Sequence, residues 1–437
     1  MTTAYAALDS LTEILKNVYG EGLKNQFEDE KLTYNQFPKS ERRPGGKGYV
    51  FGLRYARAQG TGARAESALL PQALTGKKDQ GTIVPRYLYG SLRITGPAIE
   101  MAKSNTEAFV NSLSDEIDDI YQSLVVDLNR QAHWDGFGKV GTLSATATPS
   151  TTVPWTATFD NDIGVMYMQE GMMIDFYQGA TADATCCSQR ISSINPTTKV
   201  VTFEAAANLY KAYHPNATIA AYTADANTVA SGSLAIKSGA RLPSFASSDT
   251  PYELTGLMGI YDNDTLLASF EGIDCGDNPK WQANVLSNSG VNRELSLGLM
   301  LDAVDLTRMR SGMSVSKIRM GLGQRRKYAN LLLPDVRFAP TVLKGGYETL
   351  TFSGGDGSLE IIVDAMTQPN KIFFEPADVI KKYELTPLGW GSLDGSQLHQ
   401  VANYDEYQAY LRLYSQLGVE QRNCITLLGD LVETTTV

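Results

Sequence analysis

Tyr49-Val50-Phe51-Gly52-Leu53-Arg54-Tyr55 and Arg86-Tyr87-Leu88-Tyr89-Gly90-Ser91-Leu92-Arg93-Ile94 flank a long glycine-bearing excursion and lead straight into one extended apolar stripe. Tyr49, Phe51, Leu53 and Tyr55 alternate with smaller or polar residues, the period-two pattern of a half-buried strand. The second run reads as its return partner. Between them the chain has little periodicity and carries Gly60, Gly62, Gly76, Gly81 and the pair Lys77-Lys78. Loops longer than about 12–15 residues are uncommon in compact domains unless functional or disordered, and an isolated two-stranded hairpin is marginal in water. The arm is therefore expected to rest on something else, and a neighbouring copy of the chain is the simplest support. The pattern points to assembly rather than chemistry.

Thr95-Gly96-Pro97 supplies a helix start, with proline tolerated in the first turn and Glu100 favourable near the positive end of the helix dipole. Ile99, Ala102, Phe109, Leu113, Ile117, Ile120, Leu124 and Leu128 then recur at three- and four-residue steps. Unbroken to Ala132, such a helix would be roughly 50 Å long. Its other face carries Asp115, Glu116, Asp118 and Asp119, and Trp134-Asp135-Gly136-Phe137-Gly138 ends it.

Working outward, residues 1–48 begin with a short helical pattern (Leu8, Leu11, Leu15, Val18) and pass into a basic, turn-rich connector from Pro38 to Gly48, which reads as an extended arm. Residues 142–158, rich in Thr, Ala and Ser with Pro149 and Pro154, read as a linker. Residues 160–235 look mostly β, with a hairpin from Cys187–Ile194 to Lys199–Phe203 across Asn195-Pro196-Thr197-Thr198. Further on, Arg293–Arg310 and Gln324–Leu333 are helical, the second stopped by Pro334. Leu359–Val363 and Lys371–Phe374 are strands around Asp364 and the turn at Gln368-Pro369-Asn370, and Tyr404–Leu417 and Cys424–Leu431 are closing strands.

The 437 residues have ordinary globular composition, 43% hydrophobic and 20% charged. A net charge of −10 argues against non-specific nucleic-acid binding as the main role. Cys186, Cys187, Cys275 and Cys424 form no C-x-x-C and are too few for a disulfide scaffold, so free thiols in a reducing compartment are expected. No secretory signal and no bilayer-spanning run are read.

Chemistry is hard to find. His133, His214 and His399 have no metal-ligand spacing, and no G-x-S-x-G elbow occurs. Gly45-Gly46-Lys47-Gly48 lacks the spacing and hydroxyl of a phosphate loop, and Gly321-Leu322-Gly323 meets Arg326 where a dinucleotide fingerprint needs its third glycine. Asp160-Asn161-Asp162 and Asp262-Asn263-Asp264 do not continue into a calcium loop and read as solvated turns. No catalytic residue, metal or cofactor is expected.

Charge is more informative. Lys39, Arg42, Arg43, Lys47, Arg54, Arg57 and Arg64 make the arm basic, whereas the long helix holds Asp115, Glu116, Asp118 and Asp119. Exposed ion pairs contribute only about 0–1 kcal/mol each, but complementary patches set register. The expected inter-subunit contact set is Arg42, Arg43, Lys47, Phe51, Arg54, Tyr55, Arg57 and Arg64 on one copy against Asp115, Glu116, Asp118 and Asp119 on its neighbour.

The order of these parts resembles that of bacteriophage major capsid proteins of the Hong Kong 97-like fold. The junction Leu128-Asn129-Arg130 with Gly136-Phe137-Gly138 is similar to the family's helix-to-glycine corner. Ile318-Arg319-Met320-Gly321, Arg326-Lys327-Tyr328-Ala329, Val363-Asp364, Pro369–Phe374, Tyr404–Leu411, Leu417 and Arg422-Asn423 resemble its axial and peripheral segments. The resemblance implies an α+β capsid fold with an N-terminal arm (1–48), an E-loop β-hairpin (49–95), a peripheral domain with a spine helix (96–142), an inserted β-rich domain (143–235), an axial domain with returning strands (236–392) and closing peripheral strands (393–437). It further implies a structural, non-enzymatic subunit that forms pentamers and hexamers around double-stranded DNA, without sequence-specific binding and without a membrane. Because the E-loop begins near residue 49, a separate scaffolding protein is expected, with a portal and in some members a decoration protein. The expected location is the virion, after synthesis and assembly in the host cytoplasm. Some members cross-link a lysine to a neighbour's asparagine; Lys77 and Lys78 lie in the loop, but no partner asparagine is matched. An encapsulin-like compartment shell, or an oligomeric enzyme with a swapped arm, are the alternative readings.

Overall fold

A computed structural model describes residues 33–46, 48–96, 106–150, 153–160, 162–177, 184–205, 229–240, 252–336, 351–353, 357–364, 366–391, 399–400 and 403–433. The expected helical pattern at Leu8–Val18 and the helix start at Pro97 lie outside them.

Strand β1 (Tyr49–Arg54) pairs antiparallel with β2 (Lys78–Ile83), Tyr49 opposite Ile83 and Arg54 opposite Lys78. This corrects the expected pairing with the run after Arg86. That run is β3 (Arg86–Thr95), and it pairs instead with a strand near the far end of the chain, β19 (Glu406–Val419), from Arg86–Ser415 to Thr95–Glu406. The physical reason is packing. Leu92 and Ile94 of β3 are buried while Tyr87 and Tyr89 face out, so β3 already has one core face to satisfy. The glycine at position 81 fits the β2 partnership, because a Cβ there would lie 2.4 Å from the Phe51 ring.

The long helix, α1 (Thr106–His133), buries Ile117, Leu124 and Leu128 as its stripe requires. It ends where Gly136 and Gly138 take φ of +90° and +76°, values a side chain disfavours. Beyond it come β4 (Lys139–Thr142), β5 (Trp155–Thr158), α2 (Asp162–Tyr167), β6 (Met173–Tyr177), β7 (Ala184–Asn195), β8 (Val200–Phe203) and β9 (Leu234–Lys237), forming one six-stranded sheet in the order β4-β9-β6-β7-β8-β5. Residues 142–158 are thus no linker among those described. Leu143 and Ala147 make bridges to Phe159 and Val229, and the Trp155 ring stacks on Phe203 at 4.5 Å in a separate apolar core. Its Thr/Ala/Ser composition hid an alternation that becomes visible only once a partner strand is known. The expected β7–β8 hairpin forms, with its turn at residues 196–199, one position later than the expected Asn195–Thr198.

The remaining chain runs through α3 (Leu257–Ile260), the short hairpin β10 (Ser269–Phe270) and β11 (Ile273–Asp274), then β12 (Asn284–Leu286), α4 (Leu297–Ser311), β13 (Lys317–Met320), α5 (Leu322–Val336), β14 (Thr351–Ser353), β15 (Ser358–Val363), β16 (Ile372–Glu375), β17 (Ile380–Trp390), β18 (His399–Gln400), β19 and β20 (Thr426–Leu428). A second six-stranded sheet has the order β12-β20-β16-β13-β15-β14. Here β13 sits between β15 and β16, parallel to one and antiparallel to the other, so the two strands flanking Asp364 are not neighbours. Helix α4 is capped as its sequence allows, Ser296 Oγ accepting from Leu299 N–H and Gly312 closing the far end at φ +73°. Helix α5 runs past Pro334 to Val336 rather than stopping there. A proline in the last turn removes one N–H donor close to an end that would fray in any case.

The last sheet places β19 between β3 on one side and β17 and β18 on the other. Its inner side meets α1: a Cβ at Gly90 of β3 would touch Ile120 and Leu124. The largest apolar core lies here and takes in Tyr34 and Phe37 of the arm, Tyr49, Phe51 and Ile83 of the hairpin, and Leu411, Leu413 and Leu417 of β19.

Candidate assembly surface

The hairpin does not need a neighbour to stand. Tyr49 meets Tyr383 with ring centroids 5.2 Å apart, and Phe51 meets Trp281 at 5.9 Å. Thr82 N–H donates to the Glu271 carbonyl at 2.8 Å, and Lys77 Nζ donates to Asn278 Oδ1 at 2.9 Å. Glu271 accepts from Val419 N–H, and burial pushes its carboxyl pKa well up. The base of the arm is therefore part of its own chain's core. The expectation that the arm rests on another copy is corrected for its base, which its own chain holds.

The distal loop is a different surface. Residues 57–70 are all exposed, and Leu69, Leu70 and Leu74 are 92%, 84% and 57% accessible. Arg64 shapes it locally, its Nε donating to the Leu69 carbonyl at 3.1 Å. Scattered exposed leucines are ordinary, but three within six positions, in a segment held only at its ends, form an apolar tip. Full burial of each would contribute about 1.5–3 kcal/mol.

A second exposed apolar surface lies on β3 and β19. Successive side chains of a strand alternate faces, so Leu88, Leu92 and Ile94 turn toward α1, and Tyr87 and Tyr89 turn away. Tyr87 meets Tyr414 edge-on at 4.9 Å, Tyr89 Oη donates to Tyr414 Oη at 3.1 Å, Tyr89 meets Tyr410 at 6.4 Å, and His399 stacks on Tyr410 at 6.0 Å. Tyr87 and Tyr89 remain 57% and 55% exposed. This face was not among the expected contact residues, although the alternation of Tyr87 and Tyr89 with Leu88 was legible once the strand stood with β19.

The expected contact residues separate into groups. Arg42 grips Glu420 of its own chain with two hydrogen bonds, Nε–Oε1 at 2.5 Å and Nη2–Oε2 at 2.8 Å. The guanidinium hydrogen bond holds the Glu420 carboxyl below its usual range. Lys39 likewise pairs with Glu384 at 3.1 Å. Phe51 is buried in the core, and Tyr55 is half-buried beneath Lys77, its phenol pushed up to about 12, chiefly by burial. Arg43, Arg54, Arg57 and Arg64 are exposed. Lys47, and the side chains of Asp115, Glu116, Asp118 and Asp119, lie outside the described residues, although α1 runs through those four positions. No group of three or more His, Cys, Asp or Glu residues among those described is arranged to hold a metal, and no described helix is long and apolar enough to cross a membrane. The buried thiols of Cys275 and Cys424 are pushed up, mainly by burial, the latter to about 12, which makes both poor nucleophiles. Asp262 is buried rather than solvated and accepts four backbone N–H groups, from residues 264 to 267; it caps its own turn.

The arm proper is strapped down between the sheets. Tyr34 Oη donates to Glu384 at 3.0 Å and lies 2.6 Å from Ser415 Oγ, Thr33 Oγ1 donates to Asp364, and Arg319 donates to Gln36 and stacks 4.6 Å over Phe37. His133, at the end of α1, completes this junction, with Nδ1 2.9 Å from the Asn129 carbonyl and Nε2 3.5 Å from Asp364 Oδ2. Burial lowers the imidazole pKa, Asp364 and the Asn129 carbonyl oppose that shift, and Arg319 adds to it. A histidine depressed in the folded state binds its proton more readily when unfolded, so its contribution to stability is present above the unfolded value, about 6.5, and is lost as pH falls through the folded one. Urea titrations at pH 7.5 and 5.5 are expected to show a smaller acid loss in His133→Gln than in the unsubstituted chain. Equal losses would count against it.

The sequence matches no protein-family profile and no curated protein. Solved structures do share its shape. A chain of the cyanophage A-1(L) capsid asymmetric unit aligns with a TM-score of 0.52 at 11% identity, covering 92% of this chain and 91% of that one. The capsid of Myoviridae phage XM1 gives a TM-score of 0.45 at 8% identity, over 92% of each chain. The holo-SrpI encapsulin complex from Synechococcus elongatus gives 0.23 at 12% identity, over 36% of this chain and 54% of that one. The chain has the mixed α+β fold of the cyanophage capsid subunit over nearly its whole length.

Proposed function

We propose that this chain is a structural subunit of an icosahedral bacteriophage head, self-assembling into pentamers and hexamers around double-stranded DNA. One observation carries the reading: the end-to-end likeness to a cyanophage capsid chain, with 92% of this chain covered. The core-anchored hairpin that holds an apolar loop clear of its own chain supports it. In Hong Kong 97-like terms, the strapped segment from Thr33 belongs to the N-terminal arm, β1–β2 and their loop to the E-loop, α1 to the spine of the peripheral domain, and the sheet containing β13 to the axial domain. The sheet from β4 to β9 is the inserted β-rich domain. A separate scaffolding protein and a portal are the expected partners, with DNA enclosed through counterions rather than bound by an anionic chain of net charge −10.

The charge crossing between copies narrows to Arg43, Arg54, Arg57 and Arg64 against Asp115, Glu116, Asp118 and Asp119, because Arg42 is held by its own Glu420. Negative-stain microscopy of the chain co-expressed with its scaffold is expected to show closed shells or curved sheets. Discrete small oligomers under the same conditions would overturn the shell reading. Particles that carry a protein cargo and no DNA in the native host would move it to a compartment shell. Asp118→Lys combined with Asp119→Lys is expected to reduce particle yield at unchanged monomer stability, and normal yield would remove the charge crossing without touching the shell reading.

A further inference from the structure

We propose that the open edge of β3 binds an extended, acidic segment of a different protein, which adds to the sheet as one more antiparallel strand. Strand addition needs no shell, so its failure would leave the proposed function standing.

The two edges of this sheet are finished differently. At β17 the ladder shifts register twice, between 384 and 386 and between 386 and 389, around Pro387. The chain's own arm then closes that edge. Ser40 N–H donates to the Lys382 carbonyl at 2.8 Å, and Lys382 N–H donates to the Pro38 carbonyl at 2.9 Å. Bulges, prolines and covering segments are how proteins keep an edge from pairing. Among the described residues β3 has none of these. It runs from Arg86 to Thr95 without a register shift, and Pro85 and Pro97 lie beyond its ends.

Gly96 N–H donates to the Asp405 carbonyl at 2.8 Å, which fixes the alternation of the ladder. Leu88, Gly90, Leu92 and Ile94 therefore bond to β19, and the amides and carbonyls of Tyr87, Tyr89, Ser91 and Arg93 point the other way. No hydrogen bond reaches those four backbone positions among the described residues. Beside them a cavity of about 430 Å³ lies between the strand and α1, lined by Tyr89, Ser91, Ile120, Ser123 and Leu124. Leu88, Asp127 and Lys237 line it too, and they are shared with a second cavity of about 220 Å³ that Arg86 lines.

The edge and the groove together select the occupant. A row of alternating donors and acceptors is matched by another polypeptide backbone, whereas phosphates only accept. Lys237 of β9 lines the same groove, which suits a single extended segment better than a second sheet. Arg86 is half-buried, and its Nε has no hydrogen-bond partner. No carboxylate pairs with it among the described residues, since Asp127 is already held by Arg130 and Lys237. A carboxylate on the added strand, opposite Arg86, would supply the missing charge. Residues opposite one another share a face of the sheet, so apolar side chains belong opposite Leu88 and Gly90, next to Ile120 and Leu124. In an antiparallel strand this is the order apolar-x-apolar-x-acid, read toward its C-terminus.

The probe is a fluorescein-labelled, amidated peptide, Thr-Val-Thr-Val-Thr-Glu, titrated with the full chain and read by fluorescence polarisation. Saturable binding is expected, weakened about tenfold or more by Arg86→Gln or by Gln in place of the peptide's Glu. The reversed peptide, Glu-Thr-Val-Thr-Val-Thr, should lose as much, because its acid would fall opposite Ser91. Ser91→Pro should abolish binding and leave the urea midpoint nearly unchanged, since that N–H takes no part in the β19 ladder. Residue-level hydrogen exchange should show the Tyr87, Tyr89, Ser91 and Arg93 amides slowed by the peptide, with Leu88, Gly90 and Leu92 slow already without it. No saturation at about 1 mM peptide, or equal binding of the two peptides, would overturn strand addition. Protection of those four amides that rises with subunit concentration, without peptide, would overturn the foreign partner in favour of a second copy.

Discussion

Arg422→Ala is expected to destabilise the subunit by about 3–5 kcal/mol, the range for leaving buried polar groups unpaired beside a new cavity. Arg422 is fully buried without a carboxylate at bonding distance among the described residues. Its guanidinium donates to the Ile260 and Gly259 carbonyls at 2.8 and 2.9 Å and to Cys275 Sγ at 3.1 Å, and it stacks 4.3 Å over Phe270. Burial lowers its pKa, but arginine starts so high that it stays charged. Removing it strips the Ile260 carbonyl at the end of α3 of that donor and opens the core beneath the β10–β11 turn. That turn holds the hairpin through the Glu271 carbonyl, which accepts from Thr82 N–H, and holds β19 through the Glu271 carboxylate, which accepts from Val419 N–H, so the defect should also loosen the loop between β1 and β2. Urea unfolding measures the loss, and limited proteolysis between residues 56 and 77 measures the loosening. Arg422→Lys should recover only part, because an ammonium cannot reproduce the planar fork. A loss below about 1 kcal/mol would show that water had taken over the carbonyls.

Arg130→Met should cost a similar amount, for a different reason. Arg130 bridges Asp127 at 2.9 Å and Glu253, and donates to the Lys139 carbonyl at 3.2 Å. Burial alone would raise the Asp127 pKa, but Arg130 and Lys237 outweigh it and hold the group at about 2. Glu253 goes the other way: burial raises it beyond what Arg130 offsets. Breaking a buried ion pair by removing one partner typically costs about 3–5 kcal/mol, because the other charge is left behind. Asp127 would keep Lys237 at 3.0 Å and the Gln131 amide at 2.9 Å, so most of the loss should fall on Glu253. The variant is therefore expected to regain ground on the unsubstituted chain as pH falls and Glu253 takes up a proton. Glu253→Gln in the Arg130→Met background should restore much of the stability at neutral pH. A double variant no better than the single would place the loss on Asp127 or on the Lys139 carbonyl.

The legible and illegible parts of this chain divide along a physical line. The α1 stripe, the β7–β8 hairpin and the strand character of Tyr49–Arg54 and Arg86–Thr95 all rest on neighbours within a few residues, and all were readable. The partner of β1 was not, because β2, with Lys78, Asp79, Gln80 and Gly81, carries almost no apolar signal of its own. Residues 142–158 misled through composition, since a strand whose core face holds Trp155 and Ala157 looks like a linker until Phe203 is beside it. For the assembly surface, the exposed arginines and the anomalous loop were visible. The capture of Arg42 by Glu420 and the tyrosine face were not, because they join residues hundreds of positions apart.

By itself the sequence determined that the chain would have an α+β fold with a long amphipathic helix behind a strand-flanked loop too long to pack. Periodicity, turn residues and helix ends are local, and local energetics select them. Only the tertiary structure decided what the hairpin stands on, which basic residues are already paired, and which face of the β3–β19 sheet is left open. Those depend on which side chains meet across the fold. The loop between Tyr49 and Ile94, read first as an arm needing support along its whole length, is an arm whose base is core and whose tip is exposed.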